Sequence, residues 1–255
     1  MVQFFRSGDL SIAYVDEGGS EVGGDPILLI HGFASNHRVN WLSTGWFSTL
    51  LDAGRRVIAL DNRGHGESDK PHDAASYGTP VMADDAARLL DHLEIANADV
   101  MGYSMGARIS AFMGLQHPGR VRSCILSGLG SGLVNGVGAP GPIAEALLAP
   151  SLADVETDTG RMFRAFADQT GADRQALAAC ITASRQTLSP DELAKLDLPV
   201  LVAVGTEDDI GGSADELAKL IPGAQAFAIE GRDHMKAVGD RSHKAAVVEF
   251  LGRRP

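Results

Sequence analysis

Residues 96–116 read Ala96-Asn97-Ala98-Asp99-Val100-Met101-Gly102-Tyr103-Ser104-Met105-Gly106-Ala107-Arg108-Ile109-Ser110-Ala111-Phe112-Met113-Gly114-Leu115-Gln116. A short apolar approach runs into Gly102-Tyr103-Ser104-Met105-Gly106, and a helix pattern of small residues follows at once. The pentapeptide fits G-x-S-x-G, the turn that lifts a nucleophilic serine between a strand and a helix. Reversing the chain so sharply strains the backbone at Ser104, and glycines on both flanks clear space where the neighbouring strand and helix approach. The amides that follow stand at a helix N-terminus, where partial positive charge favours an oxyanion.

Upstream, Pro26-Ile27-Leu28-Leu29-Ile30 is an unbroken apolar run, as a strand buried on both faces of a parallel sheet requires, and His31-Gly32-Phe33 ends it. Residues 46–53 pattern as a short helix, and Arg56–Leu60 as the next buried strand. That strand leads into the charged turn Asp61–Ser68, with Gly64 and Gly66 inside it. Thr79-Pro80 reads as N-cap and first-turn proline of a helix whose apolar stripe is Met82, Ala86, Leu89, Leu90 and Leu93. At the N-terminal side, residues 2–6 and 10–16 alternate about Ser7-Gly8-Asp9, the pattern of a β-hairpin, and the Gly-rich residues 17–25 form a loop.

Downstream, Val121–Ser127 is another strand, and then the alternation stops. Residues 131–190 hold helical patterns and no convincing strand. Strand-helix alternation resumes at Pro199–Val204, with Ala226–Ile229 as the last strand and 243–252 as the last helix. Ser189 with Glu192, and Ser213 with Glu216, have capping-box spacing. Repeated strand-helix units after an early hairpin predict an α/β fold with a mainly parallel sheet flanked by helices. The core is expected from 1–130 and 191–255, with 131–190 as a helical cap inserted after the sixth strand, since about 60 residues are too many for an ordinary loop.

Composition narrows the function. A 255-residue chain can bury a large core without disulfides or metals. Its net charge of −11 argues against nucleic acid and anionic membrane surfaces as partners. Cys124 and Cys180, the two cysteines, sit in apolar and helical patterns and read as buried small hydrophobes. The N-terminus lacks a signal-peptide layout and no apolar run reaches the ~20 residues of a membrane span, so a cytoplasmic protein is expected. The remaining histidines form no zinc spacing and no phosphate-binding glycine loop is visible; no metal or cofactor is expected. Oligomeric state is not legible.

The order of these motifs resembles the α/β-hydrolase superfamily, in its capped esterase, lactonase and epoxide-hydrolase-like branch. The resemblance implies Ser104 as nucleophile and His234, in Gly231-Arg232-Asp233-His234, as base. It implies Asp208, three residues after Gly205, as the acid, although Asp209 stands beside it. It also implies the backbone N–H groups of Phe33 and Met105 as the oxyanion hole, and a ring of His31 that braces the oxyanion loop. Arg232 and Asp233 depart from the small residues that relatives often carry there. Epoxide hydrolases and haloalkane dehalogenases need an aspartate where this chain has Ser104.

A serine hydroxyl needs a base within hydrogen-bond reach to become a nucleophile, and the base needs an orienting acid. Each of the three candidates follows a separate strand, so one sheet edge can gather them. The Asp61–Ser68 turn with His65 reads as a hydrogen-bonded brace. Met162, Phe163 and Phe166 are candidate pocket residues, and Leu147, Leu148 and Ile181 add to an apolar lid. No basic clamp for a polyanionic substrate stands out. The reading is a carboxylesterase-like serine hydrolase of small apolar esters, lactones or thioesters. Its rivals are a ligand-sensing receptor with a slow triad, a carbon–carbon bond hydrolase and a cofactor-free perhydrolase.

Overall fold

The computed structural model describes residues 1–19 and 24–253. Eight strands form one sheet: β1 (Gln3–Ser7), β2 (Leu10–Glu17), β3 (Pro26–Ile30), β4 (Arg56–Leu60), β5 (Ala98–Tyr103), β6 (Val121–Ser127), β7 (Val200–Gly205) and β8 (Gln225–Ile229). Their spatial order is β1-β2-β4-β3-β5-β6-β7-β8. The β1–β2 hairpin joins β4 antiparallel, and every other pairing is parallel. The loop expected at 17–25 falls partly outside the described residues.

Alternate side chains of the central strands feed two separate cores, which is why these strands are apolar throughout. Leu28, Ile30, Val100 and Leu126 face one way, towards α2 (Thr79–His92) and α3 (Met105–Gln116). Ile27, Leu29, Met101 and Ile125 face the other way, with Trp46, Phe47 and Leu50 of a helix Trp46–Asp52 (α1) and Val247 and Phe250 near the chain's end. Thr79 opens α2 and does not cap it. Gly78 holds the cap position, because the Thr79 hydroxyl has a tertiary partner: it donates to the Ser184 carbonyl (3.1 Å) and to Gln186 Oε1 (2.6 Å).

Between β6 and β7 the chain forms five α-helices and no strand: α4 (Gly132–Asn135), α5 (Gly141–Leu148), α6 (Asp158–Thr170), α7 (Arg174–Ala183) and α8 (Pro190–Leu193). Helix α6 starts on Thr157, whose hydroxyl accepts from Gly160 N–H, and stops at Gly171 in the left-handed region. Ser189 and Glu192 form the expected reciprocal capping box at α8. After β7 comes α9 (Ala214–Ala218), where only the Ser213 half of the expected box forms, and α10 (Arg241–Arg253) closes the fold. Among the described residues no helix is long and apolar enough to cross a membrane, and no cluster of three or more His, Cys, Asp or Glu side chains could hold a metal.

Candidate active site

Ser104 sits between β5 and α3 at φ 54° and ψ −109°, in the positive-φ region that side chains rarely enter. Its N–H donates to the Ser127 carbonyl (2.7 Å) and its carbonyl accepts the first helical bond, from Arg108 N–H (3.2 Å). The flanking glycines are required by contact. A Cβ on Gly106 would stand 1.9 Å from the Ile30 carbonyl oxygen, and one on Gly102 would stand 2.0 Å from the Gly106 oxygen.

His234, on the loop after β8, sets Nε2 3.0 Å from Ser104 Oγ and Nδ1 2.7 Å from Asp208 Oδ2. The loop after β7 carries Asp208, whose other oxygen accepts the N–H groups of Ile210 (2.9 Å) and Gly211 (2.8 Å). Burial opposes its charge, but the His234 hydrogen bond and the two amides outweigh burial and hold the carboxyl below the usual range. Asp209 points outward and is exposed, so of the two adjacent acids Asp208 meets the histidine. The Tyr103 hydroxyl, next to the serine, donates to the His234 carbonyl (2.5 Å) and ties the strand before the turn to the histidine loop.

The loop after β3 is held from below. His31 Nε2 accepts the Asn62 N–H (2.9 Å), which leaves Nδ1–H to donate to the Gly32 carbonyl (2.8 Å). The buried Asp61 carboxylate takes His37 N–H (2.7 Å), His37 Nδ1–H (2.9 Å) and Glu67 N–H (2.9 Å). The Ser68 hydroxyl donates to the Asp61 carbonyl and accepts from Ala13 N–H. The turn is therefore a brace between β2 and the loop carrying Phe33. His65 belongs to it: Nδ1–H donates to the Arg63 carbonyl, and burial pushes the ring down to about 3.

Phe33 and Met105 both line the cavity above Ser104, and Met105 opens α3, where its N–H has no acceptor within the helix. That cavity has a volume of about 280 Å³. Met162, Phe163, Phe166 and Ile181 line it, with the Phe163 ring edge-on to Phe33 at 5.7 Å. Leu147 lies instead in the core and Leu148 on the surface, because the α5 face that carries Leu147 packs against α6 and α7. Arg232 pairs with Asp240 (2.6 Å), and Asp233 with Lys236 (2.9 Å), so the charges before His234 fasten their own loop. Both cysteines are buried as free thiols.

Several wall residues were not foreseen. Asn40 accepts the Gly32 N–H on Oδ1 (3.1 Å), and its Nδ2 is buried at the cavity without a partner among the described residues. Arg108 and Arg185 also face the cavity. A charge inside the small-residue pattern after the serine was the available signal for Arg108. Nothing in the sequence marks Arg185 or Asn40.

A family model described as alpha/beta hydrolase fold matches residues 25–178. The chain is 30% identical over 256 residues to a non-heme chloroperoxidase of Streptomyces lividans, covering 88% of this chain and 89% of that one. It is 36% identical over 137 residues to 2-hydroxymuconate semialdehyde hydrolase of a Pseudomonas strain, covering 52% of this chain and less than half, 45%, of that protein. The crystal structure of the enol-lactonase of Burkholderia xenovorans superposes with a TM-score of 0.81 at 22% identity, covering 98% of this chain and all of that one (100%).

Proposed function

Because the chain belongs to the alpha/beta hydrolase fold family, we propose that it is a serine hydrolase that cleaves small carboxylic esters, lactones or thioesters. The observation that carries this reading is the continuous hydrogen-bonded line Ser104–His234–Asp208 opening into an apolar cavity. Ser104 Oγ attacks the acyl carbon while His234 Nε2 takes its proton. The oxygen that becomes negative is received by the N–H groups of Phe33 and Met105. As the tetrahedral adduct collapses, His234 returns the proton to the departing alcohol or thiol, and the acyl group stays on Ser104. Water, deprotonated by His234, then attacks the acyl-enzyme and restores the serine. Asp208 keeps Nδ1 protonated throughout and offsets the positive ring.

A cavity of this size lies near the small end of ligand sites, which suits a compact substrate. The helices between β6 and β7 act in this reading as a lid, with α6 supplying its apolar wall. Similarity along most of its length to a protein named a chloroperoxidase favours a second outcome at the same serine: hydrogen peroxide replaces water at the acyl-enzyme, and a peracid leaves. The test is labelling with a fluorophosphonate followed by peptide mapping, together with chromogenic esters and lactones of graded acyl length. Label confined to Ser104 and repeated turnover are expected. Labelling elsewhere would overturn the mechanism, and a single acylation without turnover would turn the reading towards a receptor.

A further inference from the structure

We propose that the substrate carries a carboxylate on a short arm, and that Arg108 and Arg185 receive it inside the cavity. This rests on the serine-hydrolase reading for the position of the reacting bond, and it comes from how the arginines of this molecule are partnered. Arg108 is 3% exposed, and its N–H bonds the Ser104 carbonyl, so it lies one helical turn from the nucleophile. Its Nη1 donates to the Gln186 carbonyl, a neutral acceptor. Arg185, from the stretch between α7 and α8, gives its Nη1 to the Val137 and Gly138 carbonyls (3.1 and 2.6 Å), which are also neutral.

Arg185 is half-buried, and the two arginines that are buried like Arg108 are treated differently. Arg63 grips Asp85 with both Nε and Nη2 (2.7 Å each), and Arg164 holds Asp168 at 2.9 Å. Among the described residues no carboxylate stands within 4.0 Å of either Arg108 or Arg185. Among the described residues no Asp or Glu lines the cavity, in a chain whose net charge is −11. Burial first, and the neighbouring Arg185 second, together lower Arg108 to about 10, so it stays charged at neutral pH. A buried cation beside a half-buried one, with no counterion, at the wall of a largely apolar cavity is costly unless an anion completes the pair. A carboxylate matches the planar guanidinium fork and fits the modest volume. One guanidinium belongs to the sheet domain and the other to the helices above it, so the anion would bridge the two.

The experiment compares two esters of equal chain length, 4-nitrophenyl hexanoate and mono-4-nitrophenyl adipate, in the wild type, Arg108→Gln, Arg108→Lys and Arg185→Gln. The readout is the ratio of kcat/KM for adipate over hexanoate, which loss of a merely structural arginine would not change. The wild-type ratio is expected at about tenfold or more, falling towards unity in either glutamine variant, with Arg108→Lys keeping part of it. Thermal unfolding checks each variant; if Arg108→Gln does not fold, the wild-type ratio together with Arg185→Gln decides. Calorimetric binding of monomethyl adipate and methyl hexanoate to Ser104→Ala reads the same preference without turnover. Hydrolysis with a ratio near or below one, or a preference that survives both glutamine variants, overturns the carboxylate site and leaves the hydrolase reading standing. Tighter adipate binding that needs the arginines, with no hydrolysis of either ester by the wild type, keeps the site and overturns the hydrolase reading.

Discussion

Ser104 holds a backbone conformation that costs roughly 1–3 kcal/mol for a residue with a side chain, and the surrounding contacts over-determine it. The strain has a use: it raises Oγ out of the sheet to where His234 stands. Replacing Ser104 by alanine keeps the turn and removes the proposed nucleophile, so kcat is expected to fall by about 10⁴- to 10⁶-fold with the fold intact. Ester turnover by the purified variant near the wild-type rate would refute the role. Asp208→Asn is expected to lower kcat by about 10³- to 10⁴-fold and Asp209→Asn by less than about tenfold; the opposite ranking would move the acid one residue along. At this scale a turn motif and a chain order single out Ser104 and His234, and the structure brings the two side chains to 3.0 Å. The choice between adjacent aspartates rested on the spacing from Gly205, and in the structure it is the Asp208 carboxylate that turns inward to the Ile210 and Gly211 amides. Arg108 was readable only as a charge on a helix, because helical spacing says nothing of what a guanidinium finds at its tip.

Among the elements, β3 and α3 approach each other closely. Gly106→Ala puts a methyl group 1.9 Å from the Ile30 oxygen, against backbone that has no rotamer to yield. The strand and helix must separate, at a cost of about 1–3 kcal/mol or more. Urea unfolding should show that loss, and phosphonate labelling of Ser104 should slow with it; wild-type stability would contradict the packing. Helix α6 gives a second expectation. Each added methylene gains up to roughly 0.8 kcal/mol until the cavity is full, so kcat/KM should rise over the first few acyl carbons and then fall. Phe163→Ala or Phe166→Ala should shift that optimum to longer chains in the same ester series, and an unmoved optimum would remove those rings from the substrate wall. The central strands were legible to within a residue or two because burial on both faces leaves unbroken apolar runs, whereas β1, half exposed, was read from alternation about a turn. The start of α2 was misread, since the sequence shows a hydroxyl in cap position but not the Gln186 side chain that claims it.

Across the whole molecule, protonation and folding are coupled through buried groups. His243, held between Ser127 Oγ and the Ala237 carbonyl, is pushed down by burial to about 4, and His65 to about 3. Both are neutral when folded and take up protons near pH 6.5 when unfolded. The unfolded state therefore binds more protons below that pH, and stability falls as pH drops from about 6.5 towards 4, by up to about 1.4 kcal/mol per pH unit for each group. Asp61 and Asp208 have depressed values; their contribution is present above the unfolded carboxylate range and is lost below it, in the same direction. Tm measured from pH 7 to 4 should decline steadily, and His243→Gln should flatten the slope by about one proton. A Tm independent of pH over that range would contradict the burial of these rings as neutral groups.

Strands β6 and β7 are hydrogen-bonded neighbours, yet five α-helices separate them in sequence. A connection that leaves and re-enters at adjacent strands can change length cheaply, since each doubling of a flexible loop costs only about 0.6 kcal/mol. The length of that excursion therefore places little constraint on the register of the sheet. Ser104, Asp208 and His234 all go with the sheet; Phe163, Phe166 and Arg185 go with the excursion. In the proposed reading, the parts that act on a bond and the parts that choose the molecule carrying it therefore lie on separate stretches of the chain.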